Sequence, residues 1–135
     1  MDMNWNGTIN VTSEEDDHGS IHSVRLEEFL FFELENRQIL GHTTDRVYRL
    51  PWGSLKMLAN LISASSDQFE KVDKACLANV HKIKRLDTKL GIAHFAVNGG
   101  REKKCFVAES HMKRIQSLLE KLQRSETGSS EEMLG

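Results

Sequence analysis

The spacing of apolar and polar positions changes several times along the chain, and each change predicts an element. Residues 10–12 read as a short strand, followed by the acidic stretch "SEEDDHGS" as a polar loop. In "IHSVRLEEFLFFELEN", Val24, Leu26 and Phe29 to Phe32 concentrate β-forming residues, which predicts one or two strands. "QILGHT" and "RVYRL" are short β segments with a turn at Thr44-Asp45, and Pro51 ends the second. The period then becomes helical. Ser54 is placed to cap a short amphipathic helix whose apolar face carries Leu55, Leu58, Leu61 and Ile62.

"FEKVDKACLANVHKIKRLD", residues 69–87, holds Val72, Cys76, Leu77, Val80 and Ile83 in no single period. "GIAHFAV" alternates, with Ala93, Phe95 and Val97 on one face, and "NGG" is a strong hairpin turn into the return strand "KKCFVAE". Ser110 is placed to cap a last helix with a stripe of Met112, Ile115, Leu118, Leu119 and Leu122. "RSETGSSEEMLG" has little to bury and reads as a tail. The pattern predicts an α+β chain that is mostly β, with antiparallel sheets, one short internal helix and a C-terminal helix. Its expected parts are an N-terminal strand and acidic loop (1–20), one domain (20–124) and a disordered tail (125–135).

The chain has 135 residues, enough for one domain with its own core. The net charge of -2 conceals a division. Residues 1–68 hold 5 Lys and Arg against 11 Asp and Glu, whereas residues 69–124 hold 13 against 6. The basic half carries Lys71 and Lys74, then Lys82, Lys84 and Arg85, then Arg101, Lys103 and Lys104, then Lys113 and Arg114. Such groups on turns pair with phosphates, and those on projecting loops reach base edges. Glu70, Asp73, Asp87, Glu102 and Glu109 are interleaved and oppose that attraction. The plain alternative is a set of solvated lysines.

Other chemistries find little support. The six histidines are scattered, so no metal site is expected. Phosphate-binding and dinucleotide glycine patterns are absent, so no cofactor is expected. Cys76 and Cys105 are far apart in sequence and read as reduced, apolar residues of a cytoplasmic protein. No apolar stretch approaches a membrane span. Nothing in the residue pattern argues for an enzyme.

The order of these elements resembles LytTR DNA-binding domains. "VRLEEFLFFELENRQILGHTTDRVYRLPWGSLKMLANLI" is similar to the front half of that family, with Leu30 to Glu33 at its strand motif. Phe69, Leu77, Asn79, Ile83 and Leu86 fit the family's most recognisable segment. "HFAVNGGREKKCFVAESHMKRIQSLL" is similar to its closing hairpin and helix, so the likeness covers about residues 20–122. It implies an elongated fold of antiparallel β-sheets that reads double-stranded DNA with loops in successive major grooves, often as a homodimer on repeated half-sites. With no length for a receiver domain, the chain is expected to be a stand-alone transcription regulator.

The family's site residues carry over position by position. Arg37, in "ENRQ", matches the base-contacting position of the first loop. The second loop, usually "HRS", reads Asp73-Lys74-Ala75, so Lys74 keeps the charge. The third, usually "S-R-R", reads Ala108-Glu109-Ser110, with Lys113 and Arg114 one turn later. Arg37, Lys74 and Ser110 are therefore expected to face bases, and Lys71, Lys82 and Lys113 to face phosphates. Asn79 matches a family asparagine that is expected to be structural. The rival expectation is a LytTR-like scaffold that binds a protein partner or small ligand, using its acidic front and the aromatics Trp5, Trp52 and Phe31.

Overall fold

A computed structural model describes residues 7–13, 20–50, 54–64, 66–96 and 102–134, with side chains of the last helix described as far as residue 124. The strands are β1 (Thr8–Ser13), β2 (Ile21–Arg25), β3 (Phe31–Glu35), β4 (Gln38–His42), β5 (Val47–Leu50), β6 (Phe69–Asp73), β7 (Cys76–Asn79), β8 (Ile83–Asp87), β9 (Ile92–Phe95) and β10 (Lys103–Phe106). The helices are α1 (Leu55–Ser63) and α2 (Glu109–Leu134), with short 3-10 turns at Leu26–Glu28 and Val80–Lys82. Seven strands form one sheet in the order β2-β1-β5-β4-β3-β7-β6, and three form a second in the order β10-β9-β8. Every pairing described is antiparallel. The fold is mostly β, as the residue pattern predicts.

Two cores divide the apolar residues. The first lies between the large sheet and α1 and holds Ile9, Val11, Phe29, Phe32, Ile39, Tyr48, Leu58, Ile62, Phe69 and Leu77. The second lies between the same sheet, the small sheet and α2, and holds Phe31, Val72, Cys76, Ala78, Ala93, Phe95, Cys105 and Ile115. Successive side chains of a strand point to opposite faces. Phe31 and Phe32 thus enter different cores, as do Cys76 and Leu77. All four residues of β7 are buried because both faces of that strand are covered. The stretch 69–87 shows no single period because it is two strands, a 3-10 turn and a third strand in the other sheet.

Local chemistry fixes the elements. The Ser54 hydroxyl accepts a hydrogen bond from the Met57 N–H at 3.2 Å, capping α1 as its position predicts. The hairpin of β4 and β5 turns at Thr43 to Arg46, closed by the Thr43 N–H on the Arg46 carbonyl. A Cβ on Gly41 would stand 2.6 Å from the Phe29 ring, so only glycine lets β4 pass beneath Phe29 and Phe32. Asn79 is fully buried. Its amide donates to the Phe29 carbonyl at 3.3 Å and to Gln68 Oε1 at 3.4 Å, and its Oδ1 accepts from the His81 N–H at 3.1 Å. One side chain thereby ties the approaches to β3 and β6 to the end of β7.

Some expectations differ from the structure. β1 is longer than residues 10–12 and lies inside the large sheet between β2 and β5, with Ile9 and Val11 in the core. Ser110 is the second residue of α2 and not its cap, because the chain turns helical directly after Ala108. The backbone of α2 continues through residues 125–134, read from sequence as a tail; no proline interrupts it. Phe31 is 2% exposed and cannot be part of a contact surface, since its ring packs against Phe95 at 5.2 Å. The acidic loop, Val97, the "NGG" turn, Trp5 and Trp52 fall outside the described residues.

The joint between the sheets carries a charged group. His42 stacks on Phe31 at 4.3 Å, and its Nε2 stands 3.6 Å from Glu33 Oε1. The Lys103 ammonium, from the small sheet, donates to the Arg46 carbonyl at 2.9 Å. The neighbouring imidazole of His42, ahead of the Lys103 ammonium, holds the Glu33 carboxyl below its ordinary value of 4.5, although burial pushes the other way.

Two stability predictions follow from this packing. Gly41→Ala should lower the unfolding free energy by about 1–3 kcal/mol, the usual cost of overpacking, measured by urea denaturation. A depressed carboxyl contributes stability above its unfolded pKa and loses it as pH falls through the folded pKa. Thermal unfolding should therefore show stability falling below about pH 4.5, and Glu33→Gln should make that acid limb shallower.

Candidate nucleic-acid interface

The turn between β3 and β4 consists of Asn36 and Arg37, with φ of 51° and 65°. Glu35 pairs with Gln38, so this is a two-residue hairpin with both central residues left-handed. Asparagine tolerates that region, but arginine does not favour it, and glycine is the usual solution. Arg37 thus holds a conformation that costs about 1 kcal/mol, and its side chain is exposed. Strain of this kind is worth explaining by function.

The turn between β6 and β7 is built differently. The Asp73 carboxylate accepts a hydrogen bond from the Ala75 N–H at 3.1 Å. This closes an Asx turn around Lys74, whose side chain is exposed. Asp73 itself is half-buried. The residue that opposes DNA in the sequence therefore also shapes the turn that presents a lysine. Its signal was available in the spacing Asp-x-Ala, but an acid in a basic segment reads first as a charge.

The third connection, Val107 to Ala108, leads from β10 into α2. Glu109 opens the helix, where a carboxylate meets the positive end of the helix dipole. Ser110 and Lys113 are exposed. Arg114 is committed elsewhere, since its Nε donates to Glu70 Oε1 at 2.9 Å and that carboxylate raises the guanidinium's pKa.

Backbone bonds join these connections side by side. The Leu34 N–H donates to the Ala75 carbonyl at 2.9 Å, which links the first turn's strand to the second turn. The Ala108 N–H donates to the Val72 carbonyl at 2.7 Å, which links the third connection to the second turn's strand. Arg37, Lys74 and Ser110 consequently belong to one edge of the molecule. Lys71 lies on β6, the outer strand of the large sheet at that edge, and is exposed.

Lys82 is placed apart from the others. It ends the 3-10 turn beyond the far end of β7 from Lys74. There it lines an open groove of about 860 Å³ together with Glu27, Glu28 and Asp45. Those acids give Lys82 a surrounding unlike that of Lys71 or Lys74. Asn79, being buried and fully engaged, reaches no ligand.

The remaining chemistry is quiet. Among the described residues, no group of three or more His, Cys, Asp or Glu side chains is arranged to hold a metal ion. Cys76 and Cys105 are both buried, and the neighbouring Cys105 thiol together with burial raises the Cys76 pKa, which keeps that thiol protonated. No described helix is long and apolar enough to cross a membrane.

No curated protein matches the chain in sequence. The fold is similar to the LytTr DNA-binding domain of a Bacillus cereus protein described as a methyl-accepting/DNA response regulator. That match has a TM-score of 0.64 at 14% identity, covering 85% of this chain and 98% of that one. The family model for the LytTr DNA-binding domain matches residues 19–120, most of the described chain, and the row of three connections lies within that span. The chain belongs to the LytTr DNA-binding domain family.

Proposed function

We propose that this chain regulates transcription in the cytoplasm by binding duplex DNA through the edge that carries Arg37, Lys74 and Ser110. The observation that carries this reading is the pair of backbone bonds, Leu34 to Ala75 and Ala108 to Val72, that sets the three connections in a row. Arg37 reads guanine from the strained turn, where a bidentate pair is worth about 1–3 kcal/mol of discrimination. Lys74 and Ser110 approach neighbouring bases, and Lys71 and Lys113 neutralise phosphates. Lys82, beside the acids of the far groove, is left out of the contact. Two copies on repeated half-sites, each with its loops in the major groove, complete the reading. The family is one of DNA-binding domains, which supports a binding role and not a catalytic one.

The rival reading, a scaffold that binds a protein, is weakened by the burial of Phe31. A capture experiment offering both random-sequence duplex DNA and cell lysate separates the two. Enrichment of a protein with no selected DNA would replace the present reading.

Two substitutions test the edge. Arg37→Gly should stabilise the folded chain by about 1 kcal/mol, because glycine relieves the left-handed backbone. The same change should cost about 1–3 kcal/mol of preference for the guanine that Arg37 reads, so stability and binding move in opposite directions. Urea denaturation and fluorescence anisotropy measure the two. Asp73→Asn keeps an acceptor for the Ala75 N–H and removes a negative charge, so affinity at low salt should rise several-fold. Asp73→Ala removes the charge and the acceptor together, and should bind more weakly than the asparagine variant. Equal affinity for these two variants would show that the Asx turn does not matter to binding.

A further inference from the structure

Beside the row of three connections lies a fourth turn, Thr88 to Gly91, between β8 and β9. It is joined to the third by the Val107 N–H, which donates to the Gly91 carbonyl at 2.9 Å. The next residue, Ala108, makes the bond to Val72 that defines the proposed edge. This turn is therefore continuous with the edge.

Its construction repeats that of the Lys74 turn. The Asp87 carboxylate accepts hydrogen bonds from the Lys89 N–H at 3.0 Å and the Leu90 N–H at 2.9 Å. Gly91 then closes the turn, with φ of 67° and its N–H on the Asp87 carbonyl. At both places the aspartate is used within its own turn, and a lysine follows it at the exposed tip. Lys89 is exposed, and Leu90 beside it is 68% exposed. Phe106, the residue before Val107, is 71% exposed. Leu90 and Phe106 thus each precede one partner of the bond between the third and fourth connections. Both are large apolar side chains left exposed close to this joint and to a lysine.

We infer that the turn at Thr88 to Gly91 is a fourth DNA-contacting element, with Lys89 on a phosphate flanking the site and Leu90 and Phe106 against adjoining sugars. The positive charge at the tip and its continuity with the other connections favour duplex DNA as the occupant. The inference rests on the proposed DNA-binding edge and lengthens it on the side of the third connection.

The test uses the full chain and a duplex selected by it from a random-sequence pool. Lys89→Ala should lower the slope of log affinity against log salt by about 0.9, and weaken binding roughly fivefold at about 0.15 M salt. A duplex shortened on the side of the third connection should bind the parent chain as weakly as the Lys89→Ala variant binds the full duplex, with no further loss when the two are combined. Leu90→Ser and Phe106→Ser should each weaken binding of a single copy to a single half-site. An unchanged salt slope for Lys89→Ala, while Arg37→Ala still weakens binding to the selected duplex roughly tenfold or more, would overturn this inference and leave the edge intact. Failure of the parent chain to select any duplex would remove both. If Leu90→Ser and Phe106→Ser alter only the cooperative binding of a second copy, the apolar pair is a protein contact and the inference fails.

Discussion

The pairing of β3 with β7 is the constraint on which the rest of the molecule depends. Phe31 lies opposite Ala78, Phe32 opposite Leu77 and Glu33 opposite Cys76. Because side chains alternate, this one register supplies residues to both cores. A slip by one residue would exchange Phe31 with Phe32 and place each ring in the wrong layer. Asn79 guards the end of the pairing with hydrogen bonds from a site that water does not reach. At the other end the register continues into the bond from Leu34 to Ala75, which brings the Arg37 and Lys74 turns together. Packing and the position of the candidate site are thus set by the same strand pair.

The acids of the basic half take on a different meaning in three dimensions. Counted along the chain, they dilute the attraction for a polyanion. In space, Glu70 holds Arg114, and Asp73 and Asp87 close the turns whose tips present Lys74 and Lys89. Each acid remains a source of repulsion toward phosphate. What Asp73 and Asp87 contribute in return is a fixed backbone beneath an exposed lysine, which in the proposed complex lowers the entropy lost on binding.

Much of the fold was legible because it rests on local signals. Ser54 caps α1, Ile115 faces the core of α2, and Thr44-Asp45 lies within the β4–β5 turn, each as residue type and spacing predict. The stretch 69–87 was opaque because its strands serve two sheets, and no period along the chain reveals that change of partner. Phe31 is instructive for the same reason. An aromatic beside another aromatic offers no sign of which face is covered, and here both are. Lys82 resembled its neighbours in charge, but the sequence does not tell that β7 carries it away from Lys74. The Asx turn at Asp73 was written in the chain, yet its meaning depends on the half-burial that only folding supplies.

The departures from the family's usual loop residues bear on a distinction between where a site is and what it reads. The row of connections is positioned by main-chain bonds, from Leu34 to Ala75, from Ala108 to Val72 and from Val107 to Gly91. None of these bonds depends on the identity of the exposed side chains. Residues such as Lys74, Glu109 and Ser110 can therefore change without moving the edge. Arg37 is the exception, because it holds a left-handed backbone that glycine or asparagine adopts more readily than arginine. In the proposed complex the side chain offsets that cost, because a guanidinium projecting from the end of a rigid hairpin is suited to a planar pair of acceptors.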